Sequence, residues 1–358
     1  MGHFKRFDRM ANDLVKDLRV DGTPDRRRGL EYQISESIEH TINTALGLGR
    51  PLLVSGETGC GKTELGFAIA RKLGIPNLRF YAVKSESEAQ RLFYEYDSIQ
   101  RFHLAQSAPK NGEHVNTEDT ARRVTKRAKS NDKLEATHPL NFIRYQALGL
   151  AILEATCLDK VKHLLPSNYK FPDKPVRSVV VIDEIDKAPR DFPNDLLNEI
   201  DHLWFRVPEL ANWVASAETP REPLPAELRP IIVITSNLER QLPDAFLRRC
   251  VFHHIEHPDI EEPEGKRLQE NIVLGHLKRD KLRLADVDLG KAIAFIAQAR
   301  TLPLDKKPGL AELLEFVRIL AMRENDMKGK SFEERATACL SAIAKTTRDT
   351  TTLRRLLR

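Results

Sequence analysis

The chain has 358 residues, 41% hydrophobic and 30% charged, long enough for one large domain with a smaller one beside it. Fifty-seven Lys+Arg against 52 Asp+Glu leave a formal charge of +5 dispersed along the sequence, the pattern of a solvated surface and weak support for nucleic acid as a partner. No stretch approaches a membrane span, and the Met1-Gly2-His3-Phe4 start lacks the apolar core of a signal peptide, so a cytoplasmic location without membrane contact is expected.

Residues 1–28 mix acids and bases with Leu14, Val15 and Leu18, and a short amphipathic helix ending at Arg26-Arg27-Arg28 is expected there, as a subunit contact or a tail. Pro51-Leu52-Leu53-Val54-Ser55 then reads as a strand, and Leu65, Ala68, Ile69 and Leu73 recur at helical spacing. Between them stands GETGCGKT, a complete G-x-x-x-x-G-K-T phosphate loop: Gly56, Glu57, Thr58, Gly59, Cys60, Gly61, Lys62 and Thr63, followed by Glu64. Its glycines let backbone N–H groups converge on phosphate oxygens at a helix N-terminus. Lys62 is placed to reach the β- and γ-phosphates of a nucleoside triphosphate and Thr63 to bind Mg²⁺.

Cys60, Cys157, Cys250 and Cys339 are scattered, which argues against a zinc site or a disulfide framework. Cys60 reads as a small spacer; the alternative is a redox-sensitive thiol whose oxidation would obstruct nucleotide.

Further strands are expected at Arg79 to Val83, Ser178 to Ile182, Ile231 to Thr235 and Val251 to Ile255, short apolar runs of the kind covered on both faces of a parallel sheet. Residues 85–141 exceed what such a core needs. They include the polar stretch from Ser107 to Asn116 and the basic run Arg122-Arg123-Val124-Thr125-Lys126-Arg127-Ala128-Lys129, a solvated helix or a partner-facing insertion with nucleic acid as one possible partner.

Ser178 to Ile182 runs into Asp183-Glu184-Ile185-Asp186, carboxylates delivered to the sheet's carboxyl edge on the strand expected beside the phosphate loop. Asp183 is assigned to Mg²⁺ and Glu184 to orienting and activating the attacking water. A second insertion, residues 205–229, has Trp204 and Trp213 at or near its start. Asn237 follows the next strand, positioned for the γ-phosphate or the lytic water, or else as a turn cap. Arg248 and Arg249 end an apolar segment as surface charge or as the guanidinium that neutralises developing phosphate charge in a neighbouring subunit. In His253-His254-Ile255-Glu256-His257 the first two histidines point to opposite faces of a strand, which argues against a metal site.

From Pro258 onward helical spacing takes over. Ile272, Leu274 and Leu277, then Ile293, Ile296 and Ala297, then Leu313, Leu314, Val317 and Leu320 mark three helices of a C-terminal bundle. Domains are therefore expected at residues 29–257 and 258–358, the first an α/β parallel sheet and the second all-α, with Arg354, Arg355 and Arg358 as exposed charge or a basic handle at the end.

Taken together these motifs resemble AAA+ ATPases, specifically the MoxR-type group, over roughly Leu30 to Leu320 and in family order. The resemblance implies a P-loop sheet core with an all-α lid, and an ATP site shared between subunits of a homo-oligomeric ring, usually a hexamer. It casts Asn237 as sensor 1, favours Arg249 as arginine finger with Arg248 its rival, and places adenine near Tyr32-Gln33-Ile34. It also implies an extra hairpin in the second insertion, facing the ring pore. One departure concerns the sensor 2 arginine, whose place reads Lys306-Lys307-Pro308-Gly309; either lysine substitutes or the role is missing. The expected function is an ATP-hydrolysing motor that remodels a protein client, such as a von Willebrand factor A-domain protein. The alternatives are a nucleic-acid-directed or defence ATPase and a nucleotide-gated scaffold with little turnover.

Overall fold

The structure, a computed structural model, describes residues 6–11, 15–30, 32–106, 138–166, 169–210, 213–216, 224–324 and 326–358. Its strands are β1 (Leu18–Val20), β2 (Thr23–Asp25), β3 (Leu52–Gly56), β4 (Asn77–Ala82), β5 (Tyr94–Tyr96), β6 (Ile143–Tyr145), β7 (Ser178–Asp183), β8 (Trp204–Val207), β9 (Trp213–Ser216), β10 (Ile231–Ser236) and β11 (Val251–Ile255).

Seven of them form one sheet in the order β11-β3-β10-β7-β4-β1-β2, parallel except for the β1–β2 pair. The five strands expected from apolar runs are all present. Alternation along each sorts its side chains onto two faces: Leu53, Val180, Ile182 and Ile234 enter one core, and Leu52, Val54, Val179 and Val181 the other. Both faces are buried along β3, β7 and β10, which is why these segments read as unbroken hydrophobic runs, whereas β4 and β11 are only partly covered.

Helix Lys62–Leu73 leaves β3 through Gly61 and buries Leu65, Phe67, Ile69 and Leu73. It crosses β7 so closely that a Cβ on Gly66 would lie 2.5 Å from the Val181 side chain.

The N-terminal expectation fails for a local reason. Leu18 to Asp25 is not helical: Asp21 (φ 47°) and Gly22 (φ 84°) make a two-residue turn between β1 and β2, and β1 adds to the sheet beside β4. Asp-Gly between short strands is a strong hairpin signal, and it outweighs the weak helical spacing. Leu14 lies outside the described residues.

The first insertion departs and returns through a small ladder, with Tyr94 opposite Tyr145 and Tyr96 opposite Ile143. Its basic run, Arg122 to Lys129, lies outside the described residues. The second insertion begins with the antiparallel hairpin β8–β9, and Phe205 anchors it by stacking on Phe93 at 5.3 Å between ring centroids.

C-terminal to β11, helices Pro263–Arg279, Asp286–Thr301 and Leu310–Met322 stand where the spacing places them. They share a separate core that includes Val273, Ile293, Ile296, Leu313, Phe316 and Val317, although Leu274 faces outward. Two shorter helices, Phe332–Ala338 and Thr347–Leu356, complete it. The terminal segment is thus more than a charged tail: Leu353 is buried, and the Asp349 carboxylate accepts the backbone N–H groups of Asp305 and Lys306. Arg354, Arg355 and Arg358 remain exposed. Among the described residues no helix is long and apolar enough to cross a membrane.

Candidate nucleotide-binding site

Parallel strands deliver their carboxyl ends to one edge, and there β3, β10 and β7 bring the phosphate loop, Asn237 and Asp183-Glu184 together. The carboxylate strand is not beside the phosphate loop, as the sequence suggests; β10 lies between them. Strand order depends on which crossovers the chain takes, which an apolar run does not encode.

The intervening strand supplies a residue that sequence reasoning missed. The Thr235 hydroxyl donates to Asp183 Oδ1 at 2.8 Å and accepts the Glu184 N–H at 2.8 Å. Thr63 donates its hydroxyl to the same Asp183 oxygen at 2.6 Å, and Asn237 Nδ2 donates to Glu184 Oε1 at 3.1 Å. One continuous hydrogen-bonded chain therefore joins Thr63, Asp183, Thr235, Glu184 and Asn237. Asp186, the last carboxylate of the same motif, braces it by accepting the N–H groups of Asn237 and Glu239.

Glu184 has a left-handed backbone (φ 59°, ψ 54°), unusual for a residue with a Cβ and held by these surrounding bonds. Its second oxygen pairs with the Lys187 ammonium. Lys187 foremost, with the Asn237 amide assisting, holds the Glu184 carboxyl below its ordinary range against the opposing effect of burial.

Loop geometry fits a polyphosphate. Gly59 and Gly61 have φ of 80° and 94°, and a Cβ on them would meet Ala311 Cβ at 2.6 Å and the Tyr32 ring at 3.1 Å, so glycine is required both by the left-handed backbone and by the residues packed against the loop. The buried Lys62 ammonium donates to the carbonyls of Gly56 and Glu57 at 3.0 and 2.8 Å, neutral partners that leave a cation for anionic oxygens. Thr63 beside Asp183 is a hydroxyl–carboxylate set suited to a hard divalent cation.

Cys60 is buried, its sulfur 2.8 Å from where a Gly56 Cβ would stand, and burial pushes its thiol up, away from thiolate reactivity. That geometry matches the spacer role. Tyr32 and Ile34 pack against the core behind the loop, with burial raising the Tyr32 phenol. Glu64 turns from the loop: its carboxylate accepts Arg28 Nε at 2.8 Å and the Gly29 N–H at 2.7 Å, fastening the N-terminal segment to the helix.

The arginine pair stands outside this network. Arg249 Nε donates to Asp201 at 2.7 Å with its side chain partly exposed, and Arg248 is exposed. His253 and His254 do face opposite ways, onto Thr41 and Ser55, and the described residues contain no metal-ligating cluster of His, Cys, Asp or Glu. Lys306 is tied to the terminal helix through its backbone, and Lys307 stands near enough to Glu57 to help hold its carboxyl below the ordinary range, after the larger effect of Arg300. Arg300 hydrogen-bonds Glu57 directly and was missed from sequence because it comes from the preceding helix.

No family model matches the chain, and no curated protein matches it. Among solved structures it is similar to a RuvB variant from Thermotoga maritima, at 13% identity and a TM-score of 0.37, with 90% of this chain and 67% of that one covered.

Proposed function

We propose that this chain is an ATPase of AAA+ type, and that it works as a MoxR-like ring motor on a protein client. The observation that carries this reading is the hydrogen-bonded chain from Thr63 through Asp183, Thr235 and Glu184 to Asn237, with the buried Lys62 beside it. Phosphoryl transfer needs positioning and charge stabilisation more than covalent chemistry from the protein, and these groups supply both.

Loop amides and Lys62 hold the triphosphate. Thr63 and Asp183 would hold Mg²⁺, which when bound neutralises charge on the phosphates. Glu184 orients a water and accepts its proton, while Asn237 and Thr235 fix the carboxylate at its side chain and backbone. Tyr32 and Ile34 are the proposed adenine-side residues. Arg249, or Arg248, completes the site of a neighbouring copy in a ring, which accounts for a guanidinium standing away from its own chain's phosphate loop.

Lys62→Ala should abolish ATP binding in an equilibrium titration while the chain keeps its thermal unfolding midpoint to within a few degrees; retained affinity would remove the phosphate-loop reading. A finer test lies at Thr235. Thr235→Val is nearly isosteric but deletes one donor to Asp183 and one acceptor for the Glu184 N–H, so kcat for ATP hydrolysis should fall about tenfold or more, with less change in ATP affinity. An unchanged kcat would mean that Asp183 and Glu184 hold their places without the threonine.

A further inference from the structure

Arg300 stands near the end of helix Asp286–Thr301, yet its guanidinium reaches the phosphate loop. Nη1 donates to Glu57 Oε2 at 3.0 Å, Nη2 donates to Glu57 Oε1 at 2.9 Å, and Nη1 also donates to the Pro308 carbonyl at 2.9 Å. One planar fork thus grips a loop carboxylate and the backbone leading into helix Leu310–Met322. The Arg300 side chain is only 19% exposed, which limits the freedom of the fork.

The two loop residues after Glu57 also meet the lid. A Cβ on Gly309 would lie 3.4 Å from the Thr58 carbonyl, and one on Gly59 would lie 2.6 Å from Ala311 Cβ. Glu57 itself faces two ways: its carboxylate takes Arg300 while its carbonyl takes Lys62 Nζ at 2.8 Å. Lys62 and Arg300 are thereby joined through a single loop residue.

We infer that Arg300 is a positioning residue that couples the lid helices to the phosphate loop through Glu57, so that engagement of Lys62 by phosphate is transmitted to the lid by this ion pair. The inference rests on the nucleotide reading above. It differs from direct contact between a lid arginine and phosphate, because the carboxylate is the intermediary. It also gives the second loop residue a task that its motif leaves open to any side chain.

The test is a double-mutant cycle in the full chain with Glu57→Gln, Arg300→Gln and the pair, read in two ways. With a fluorescent ADP analogue in stopped flow, each single variant should speed release about three- to tenfold, and the double variant should release no faster than the faster single. Additive effects would overturn the inference, as would an effect of Arg300→Gln with none of Glu57→Gln, which would mean that Arg300 acts on the nucleotide itself.

Hydrogen exchange without nucleotide supplies the second reading. Arg300→Gln should raise exchange across residues 57–61, and Glu57→Gln should raise it across residues 308–312. Unchanged exchange in both would overturn the coupling. If the unmodified chain binds no ADP analogue while both variants show the exchange changes, the nucleotide reading fails and the mechanical link stands.

Discussion

Glu184→Gln should lower ATP turnover at least about a hundredfold while ATP remains bound as tightly as in the unmodified chain. The substitution is nearly isosteric: an amide oxygen can still accept from Asn237 Nδ2, and the Thr63–Asp183–Thr235 contacts do not involve the Glu184 side chain. What disappears is the charge proposed to accept a proton from water. Lys187 holds the carboxyl below its ordinary range, so the base is already ionised at neutral pH. The unmodified rate should therefore stay level through neutrality as far as this group is concerned, and fall only as pH drops through that lowered pKa.

Phosphate release at saturating ATP, paired with an equilibrium titration, checks both halves. Lost hydrolysis with retained binding identifies an ATPase stopped at the chemical step. Hydrolysis within a factor of two or so of the unmodified rate would remove Glu184 from the role of base. Normal function of the variant in spite of lost turnover would instead favour a nucleotide-gated scaffold.

The parts of this site legible in sequence are those whose physics is local. A strand covered on both faces must be apolar throughout, a phosphate loop must have glycine where backbone meets ligand, and Asp183-Glu184 must follow a strand to reach the sheet edge. Contributions across the chain were not legible. Thr235 looks like any β-branched residue in a core strand until β10 is seen between β3 and β7. Arg300 looks like a basic residue in a last helical turn until the lid is folded over Glu57. The β1–β2 hairpin is a different case: its Asp21-Gly22 turn is readable, yet mixed acids and bases with Leu14, Val15 and Leu18 suggest a helix instead.

Arg71→Met is expected to lower the unfolding free energy by about 3–5 kcal/mol, through a residue that no motif marks. Arg71 lies in the helix that begins at the phosphate loop, and its side chain has no exposed surface. Nε donates to the Arg28 carbonyl at 2.7 Å, Nη1 to those of Val15 and Lys16 at 2.9 and 2.7 Å, and Nη2 to that of Asp25 at 3.1 Å, with the Asp25 carboxylate 3.5 Å away. These four carbonyls belong to backbone on either side of the β1–β2 hairpin and to the hairpin itself. Methionine fills comparable space but donates nothing, so each carbonyl would lose this donor. Arg71→Lys should recover only part of the loss, since one ammonium cannot reproduce a fork that spans four oxygens. Urea unfolding of the three proteins gives the ranking directly; a midpoint for Arg71→Met equal to that of the unmodified chain would mean that the segment is held by other contacts. The damage should also reach the site. The segment that Arg71 grips continues through Arg28 and Gly29, which Glu64 holds, to Tyr32, whose ring lies against Gly61. Loosening it should weaken nucleotide affinity in the fraction that stays folded, an effect that a purely global loss of stability would not produce.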